Sequence, residues 1–171
     1  INAQNRYRVA ADNSTNVFQG DVVKPLASGT IGRAIANTST PVVGVFNGCF
    51  YTDPTTQKPT FKNFLPSSIN ASDLVAFVID APDTVFEVNA NAVFGVADIF
   101  KNFSINNVTG NTATGISLVQ LDVANSGTAS TFLVQAIDIS GDVLNSDVTV
   151  SNANILVRIN NHAYKAGTAG L

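Results

Sequence analysis

The feature that most constrains the fold of this chain is a succession of short β-branched and aromatic runs, each bounded by Gly, Pro, Asn, Asp or Ser. Such runs are typical of strands, and the residues between them favour turns. Near the end of the chain, Ile155, Val157 and Ile159 alternate with Leu156 and Arg158, as in a strand with one buried face. We predict strands at 21–26, 30–34, 41–46, 74–79, 84–88, 115–121, 131–138, 147–150 and 154–160.

About nine short strands at this spacing predict an all-β fold, a single-domain antiparallel β-sandwich or small β-barrel. Only residues 91–103 have a helical apolar period, through Val93, Val96 and Ile99. Gly95 lowers the helix propensity of that segment, so we expect one or two helical turns at most.

Three regions follow along the chain. Residues 1–14 are Asn-rich and polar and predict an extended N-terminal arm, residues 15–164 form the β domain, and residues 165–171 predict a flexible C-terminal tail. Glycine-bearing segments at 27–29 and 125–127 predict hairpin turns inside the domain.

Composition narrows the function classes. Only 12% of the 171 residues are charged, about half of the roughly 25% usual in soluble domains. The net charge of −3 lacks the basic footprint of a nucleic-acid-binding protein. No apolar run approaches the roughly 20 residues of a spanning helix, so we expect neither a nucleic-acid nor a membrane partner. The single cysteine, Cys49, excludes an internal disulfide framework and a Cys-based zinc site.

Few residues are suited to catalysis. His162 and Glu87 are the sole histidine and the sole glutamate, and the sequence contains no Gly-x-Ser-x-Gly elbow. A Cys49–His162 dyad is possible in principle, but Cys49 lies in an apolar stretch that favours a buried structural thiol. We therefore expect no catalytic residues, no enzyme activity and no cofactor.

Two groups of carboxylates remain. Asp80 and Asp83 flank a proline and are compatible with acid chemistry or cation binding, but Asp and Pro are also turn formers. Asp138, Asp142 and Asp147 are spaced loosely and do not match a calcium-binding loop. We interpret both groups as turn residues and expect no metal site.

Five short segments between residues 20 and 162 carry the strongest signal. They are Gly20-Asp21-Val22-Val23-Lys24, Val42-Val43-Gly44-Val45-Phe46-Asn47-Gly48-Cys49-Phe50-Tyr51, Asp80-Ala81-Pro82-Asp83-Thr84-Val85-Phe86-Glu87-Val88, residues 114–122, and Val157-Arg158-Ile159-Asn160-Asn161-His162. In this order they resemble a family of tailed-bacteriophage virion proteins, the capsid decoration or cement proteins.

The resemblance implies a protein located in the virion, on the outer surface of an HK97-type head, that stabilises the shell by bridging capsomers. Its expected partners are the major capsid protein and further copies of itself, as a homotrimer rather than a homodimer. It implies no catalytic residues. Arg6 and Arg8 are our candidates for pairing with capsid carboxylates, and Tyr7 for buried contact area, through an arm that adds a strand to a capsid-protein sheet.

Two alternatives stay open. A β-sandwich carbohydrate-binding or adhesin-type module explains the Asn- and Thr-rich loops, although the chain has no Trp, the usual platform for sugars, and only three Tyr. A hydrolase that uses Cys49 or His162 is the third class of function.

Overall fold

The computed structural model describes residues 4–11, 13–36, 38–165 and 167, and its regular secondary structure there is almost entirely β-strand. One 3₁₀ turn, Val96–Asp98, accompanies them. The strands among the described residues are β1 (Gln4–Arg8), β2 (Val17–Phe18), β3 (Val22–Pro25), β4 (Ile31–Arg33), β5 (Gly44–Thr52), β6 (Pro59–Lys62), β7 (Phe64–Leu65), β8 (Val75–Ile79), β9 (Val85–Asn89), β10 (Asn102–Ile105), β11 (Leu121–Gly127), β12 (Val134–Ile139) and β13 (Asn154–Ile159).

The first sheet has the order β1-β8-β5-β3-β4, and β6 pairs with β5 beside it. Its strand pairs are antiparallel. Just beyond β1, Val9 forms a parallel bridge with Ile31 of β4, so the two ends of the sheet meet and the sheet closes on itself. The small sheet β2-β7 lies beside it.

The second sheet has the order β11-β10-β12-β13-β9, again antiparallel. The turn that follows β8 leads directly from the first sheet into β9 of the second. The amide of Thr84 donates to the carbonyl of Ala81 at 3.1 Å and closes this turn. The interpretation of Asp80 and Asp83 as turn residues is confirmed.

Two apolar cores result. The first lies inside the closed sheet and contains Val23, Phe46, Cys49, Tyr51 and Leu65. The second lies between the sheets, where Val22 and Val42 pack against the second sheet's Phe103, Leu121 and Ile155. The expected all-β sandwich is confirmed, with a second layer that covers only part of the first sheet's outer surface.

Six predicted strands coincide with β3, β4, β8, β9, β12 and β13, and the strand predicted at 41–46 is the start of a longer β5. Two strand predictions are wrong. Residues 147–150 form a turn because the Asp147 carboxylate accepts the Thr149 amide at 2.9 Å. Residues 115–121 contain Gly115 at φ +72° and form only isolated bridges, at Ile116, before β11 begins at Leu121.

One further prediction, of a turn, is wrong, whereas the expectation of at most one or two helical turns in residues 91–103 is confirmed. The turn predicted at 125–127 lies inside β11, because Ser126 and Gly127 pair with Phe103 and Asn102. The helical period of 91–103 produces the 3₁₀ turn and then β10. Phe100, at φ +72°, is the residue at which the chain changes direction between the two.

The N-terminal segment differs from a free arm. Gln4–Arg8 pair with Ile79–Val75 in register, so residues 4–8 are the edge strand of the first sheet. The alternation in this segment explains the pairing, since Tyr7 contacts the first core while Arg6 and Arg8 are exposed. Residues 1–3 and most of the predicted tail, 166 and 168–171, lie outside the described residues. No helix in the described part of the chain has the length and apolar character needed to cross a membrane.

Candidate interaction surface

The outer face of the first sheet, away from the second sheet, carries a row of side chains across four strands. Phe61 of β6 is the register partner of Phe50 on β5, Phe50 is the partner of Val75 on β8, and Val75 is the partner of Arg8 on β1. Directly opposite residues on one face of a sheet are side-chain neighbours. The row therefore places an apolar stripe beside an arginine.

Arg6 and Phe77 add a second pair next to this row. They are register partners, and the Arg6 guanidinium lies 5.9 Å from the centroid of the Phe77 ring, at the distance of a cation–π contact. We call the set Arg6, Arg8, Phe50, Phe61, Val75 and Phe77 the arginine–phenylalanine face. Among the described residues neither arginine forms an ion pair.

The aromatic rings of this face are accessible. Phe61 is 73% exposed, and its ring centroid lies 4.7 Å from that of Phe50 at an interplanar angle of 49°. The two rings, with Arg6, Val75 and Phe77, line a shallow pocket of about 190 Å³. A wider groove of about 410 Å³ adjoins it and shares Phe61 and Phe77. Exposed aromatic residues beside arginines have the composition of a protein–protein interface core.

The structure separates Tyr7 from the two arginines with which the sequence grouped it. Its hydroxyl donates to Asp80 Oδ2 at 2.5 Å and lies 3.0 Å from the hydroxyl of Tyr164. Asn5 Nδ2 donates to both carboxylate oxygens of Asp80, at 3.0 and 2.9 Å. Burial, and then the hydrogen bond to Asp80, raise the pKa of Tyr7 above its ordinary value. Tyr7 is therefore an anchor that holds β1, the strand that carries Arg6 and Arg8.

Cys49 and His162 are both buried but make separate contacts. The Cys49 thiol lies 3.5 Å from the Phe64 carbonyl, and burial raises its pKa to about 11. His162 Nδ1 accepts the Tyr164 amide at 3.0 Å, and burial lowers the pKa of the imidazole. Among the described residues, no hydrogen bond joins Cys49 to His162. The interpretation of Cys49 as a buried thiol is confirmed.

Two of the remaining acidic candidates hold loops. Asp142 accepts the Leu144 amide at 3.1 Å, and hydrogen bonds from Thr149 lower the pKa of Asp147. The interpretation of Asp138 as a turn residue is wrong, because Asp138 lies in β12 and pairs with Leu156 of β13. In the described ranges no three His, Cys, Asp or Glu side chains cluster as metal ligands would.

The fold and this surface define an all-β sandwich domain with an aromatic and cationic face. The chain matches no known family model, and no curated protein or solved structure is significantly similar to it.

Proposed function

We propose that this chain is a capsid decoration protein that binds the outer surface of an HK97-type phage head through the arginine–phenylalanine face. The observation that supports it most is the outward row that runs from the exposed Phe61 through the half-buried Phe50 and Val75 to Arg8. The five sequence segments that resemble the cement-protein family support it independently.

The distribution of charge indicates which of the two sheets faces the shell. Residues 1–80, which contain the first sheet, carry six Lys or Arg and five Asp, whereas residues 81–171 carry three Lys or Arg and seven Asp or Glu. An acidic shell surface therefore attracts the first sheet and repels the second. In this orientation Phe61 is buried against the shell, and Arg6 and Arg8 pair with capsid carboxylates at the edge of the contact.

Stabilisation of the shell follows from linkage. A protein that binds only the assembled, expanded shell lowers the free energy of that state by an amount that grows with its occupancy. A homotrimer at a local three-fold axis would present three copies of the face at once, and avidity then strengthens the attachment without new kinds of contact.

Co-sedimentation with expanded, undecorated capsids of the cognate phage tests the proposal. We expect saturable binding at a fixed ratio of chain to capsid protein and a higher melting temperature of the decorated shell. The matched variants are Phe61→Ser on the face and Phe100→Ser beside β12 of the second sheet, since the two side chains are 73% and 75% exposed. F61S is expected to weaken binding about tenfold or more, as loss of a central aromatic anchor does, and F100S to leave it unchanged.

A carbohydrate-binding module is the second candidate, because the exposed ring of Phe61, beside the half-buried ring of Phe50, also offers an apolar surface on which a sugar could stack. A glycan array separates the two functions. Specific sugar binding that F61S abolishes, together with no binding to cognate shells, would establish the second candidate and exclude the first.

A further inference from the structure

β9 is one of the two end strands of the second sheet, and it meets the other, β11, at the bridge between Ala90 and Leu121. The Ala90 amide donates to the Ala153 carbonyl at 2.9 Å on the β13 side, whereas the Asn91 amide donates to the Leu121 carbonyl at 3.0 Å on the other side. Backbone groups of successive residues in an antiparallel strand point to alternate sides. The amides and carbonyls of Glu87 and Asn89 therefore point away from β13, along the edge.

Residues 116–121 lie beside this edge and diverge from β9. We call the space between them and β9 the wedge. At its narrow end Leu121 forms a parallel bridge with Ala90. Further upstream the chain turns away from β9, and the Ser117 amide donates to the Gln19 carbonyl at 2.9 Å. Among the described residues, no backbone hydrogen bond joins Glu87 or Asn89 to residues 116–120.

A cavity of about 310 Å³ fills the wedge and continues between the two sheets. Four consecutive residues of β9, 86–89, border it. Because side chains of a strand alternate between its faces, a cavity bordered by four in succession must lie against the strand's backbone edge. Val22, Val45, Ile105 and Val157 form its inner walls, and Gln19 and Ser117 lie at its mouth.

We propose that this wedge binds an extended peptide segment of a partner protein, which adds to β9 as a further strand. The outward amides and carbonyls of Glu87 and Asn89 match the spacing of a peptide backbone, whereas a small apolar molecule would leave them without partners. The apolar cavity accepts one or two inward side chains of the added strand, at the lower end of the roughly 300–1,000 Å³ of typical ligand sites.

The carboxylate of Glu87 indicates which side chains the bound peptide carries on its outer face. Glu87 lies on the outer face of β9, where Ser140 and Asn154 donate to its carboxylate at 2.9 and 2.7 Å. Within the described part of the chain no Lys or Arg forms an ion pair with Glu87. The preferred peptide therefore alternates apolar residues with polar ones and carries Lys or Arg on the outer side. This proposal does not depend on shell docking, since it uses the second sheet.

The test uses the whole chain labelled with ¹⁵N and, as probe, the acetylated and amidated heptapeptide Thr-Lys-Val-Thr-Val-Lys-Thr, whose two Val share one face and whose two Lys lie on the other. The control peptide replaces the central Thr with Pro, which removes an amide needed for strand pairing. We expect the first peptide to shift the amide resonances of residues 85–89 and 116–120 and to slow the hydrogen exchange of the Glu87 and Asn89 amides. The proline peptide is expected to bind at least about tenfold more weakly.

Two pairs of variants locate the site. Glu87→Pro removes an amide that points into the wedge and keeps every backbone hydrogen bond to β13, and Glu87→Ala removes the same side chain but keeps the amide. Val45→Phe fills the cavity, and Val123→Phe makes the same change at a half-buried strand valine that does not border it. E87P and V45F are each expected to weaken binding about tenfold, and E87A and V123F less than about threefold. The ¹⁵N spectrum of each free variant reports whether it folds. If E87P does not fold, the comparison of V45F with V123F decides whether the peptide binds in the wedge.

Absence of resonance shifts up to about 5 mM peptide would overturn the proposal. Shifts confined to the arginine–phenylalanine face, or affinity equal in V45F and wild type, would place the peptide elsewhere and would also refute it. Saturable shifts in the wedge that both peptides cause equally would show that side chains alone are bound, against strand addition.

Discussion

The hydrogen bond from Tyr7 to Asp80 attaches the strand that carries Arg6 and Arg8, and Tyr7→Phe removes that bond with the loss of one oxygen. The bond is 2.5 Å long, and its acceptor carboxylate is only 8% exposed. Hydrogen bonds to charged groups contribute about 1.5–3 kcal/mol each. For a domain of this size, that cost lowers the melting temperature by roughly 3–12 °C.

The control is Tyr164→Phe, which removes the other hydroxyl of the cluster. Tyr164 is 57% exposed, and water replaces its 3.0 Å contact with Tyr7. Y164F is therefore expected to cost less than about 0.5 kcal/mol, as surface substitutions usually do.

Urea unfolding gives the free-energy difference, and hydrogen exchange gives its location. We expect faster exchange of the β1 amides in Y7F and little change in the core of the second sheet. Equal stability of Y7F and Y164F, or unchanged protection of β1, would refute the role of Asp80 as the anchor of this strand.

Three further properties follow from the same contacts. Gly44→Ala places a Cβ 2.1 Å from the Ile79 carbonyl oxygen, so it should cost about 3 kcal/mol or more in thermal unfolding, whereas Gly141→Ala, with open space around it, should cost less than about 0.5 kcal/mol. Burial lowers the pKa of His162, so protonation favours the unfolded chain; stability should be flat above about pH 7 and fall below about pH 6.5, by at most about 1.4 kcal/mol per pH unit, and less steeply in His162→Gln. The Cys49 thiol, with its pKa raised to about 11, should resist iodoacetamide at pH 8 in the folded chain and react after unfolding in urea, and rapid reaction of the native chain would contradict its burial.

The sequence predicted the fold class because period-two alternation and turn residues are local signals. The strand at Ile155–Ile159 is an example, since its buried face can be identified without knowledge of the partner strands. Strands that depend on distant partners were missed. β2 and β7 are two residues each and exist because Val17 and Phe18 meet Leu65 and Phe64.

The closure of the first sheet could not be predicted from local sequence patterns. It depends on Val9 meeting Ile31 and on Tyr7 reaching Asp80, over 22 and 73 positions of sequence. Because of these long-range contacts, the polar N-terminal segment is an edge strand and not the arm that we predicted. A signal was present in the alternation of Arg6, Tyr7 and Arg8, which is the pattern of a strand with one buried face.

The candidate surface was predicted in part. Arg6 and Arg8 were identified from their local concentration of charge, but Phe50, Phe61 and Phe77 were not grouped with them. These phenylalanines come from three different strands, and only the register of β5 with β6 and β8 places them side by side. An exposed aromatic cluster of this kind is invisible in a sequence until the strand pairing is known.

The most direct test of the central claim is a cryo-electron microscopy reconstruction of expanded cognate capsids saturated with the protein. We expect ordered extra density at a fixed set of symmetry axes, in which Phe61, Arg6 and Arg8 face the shell and the second sheet faces outward. Shells without extra density, or density in which the second sheet contacts the capsid protein, would contradict it.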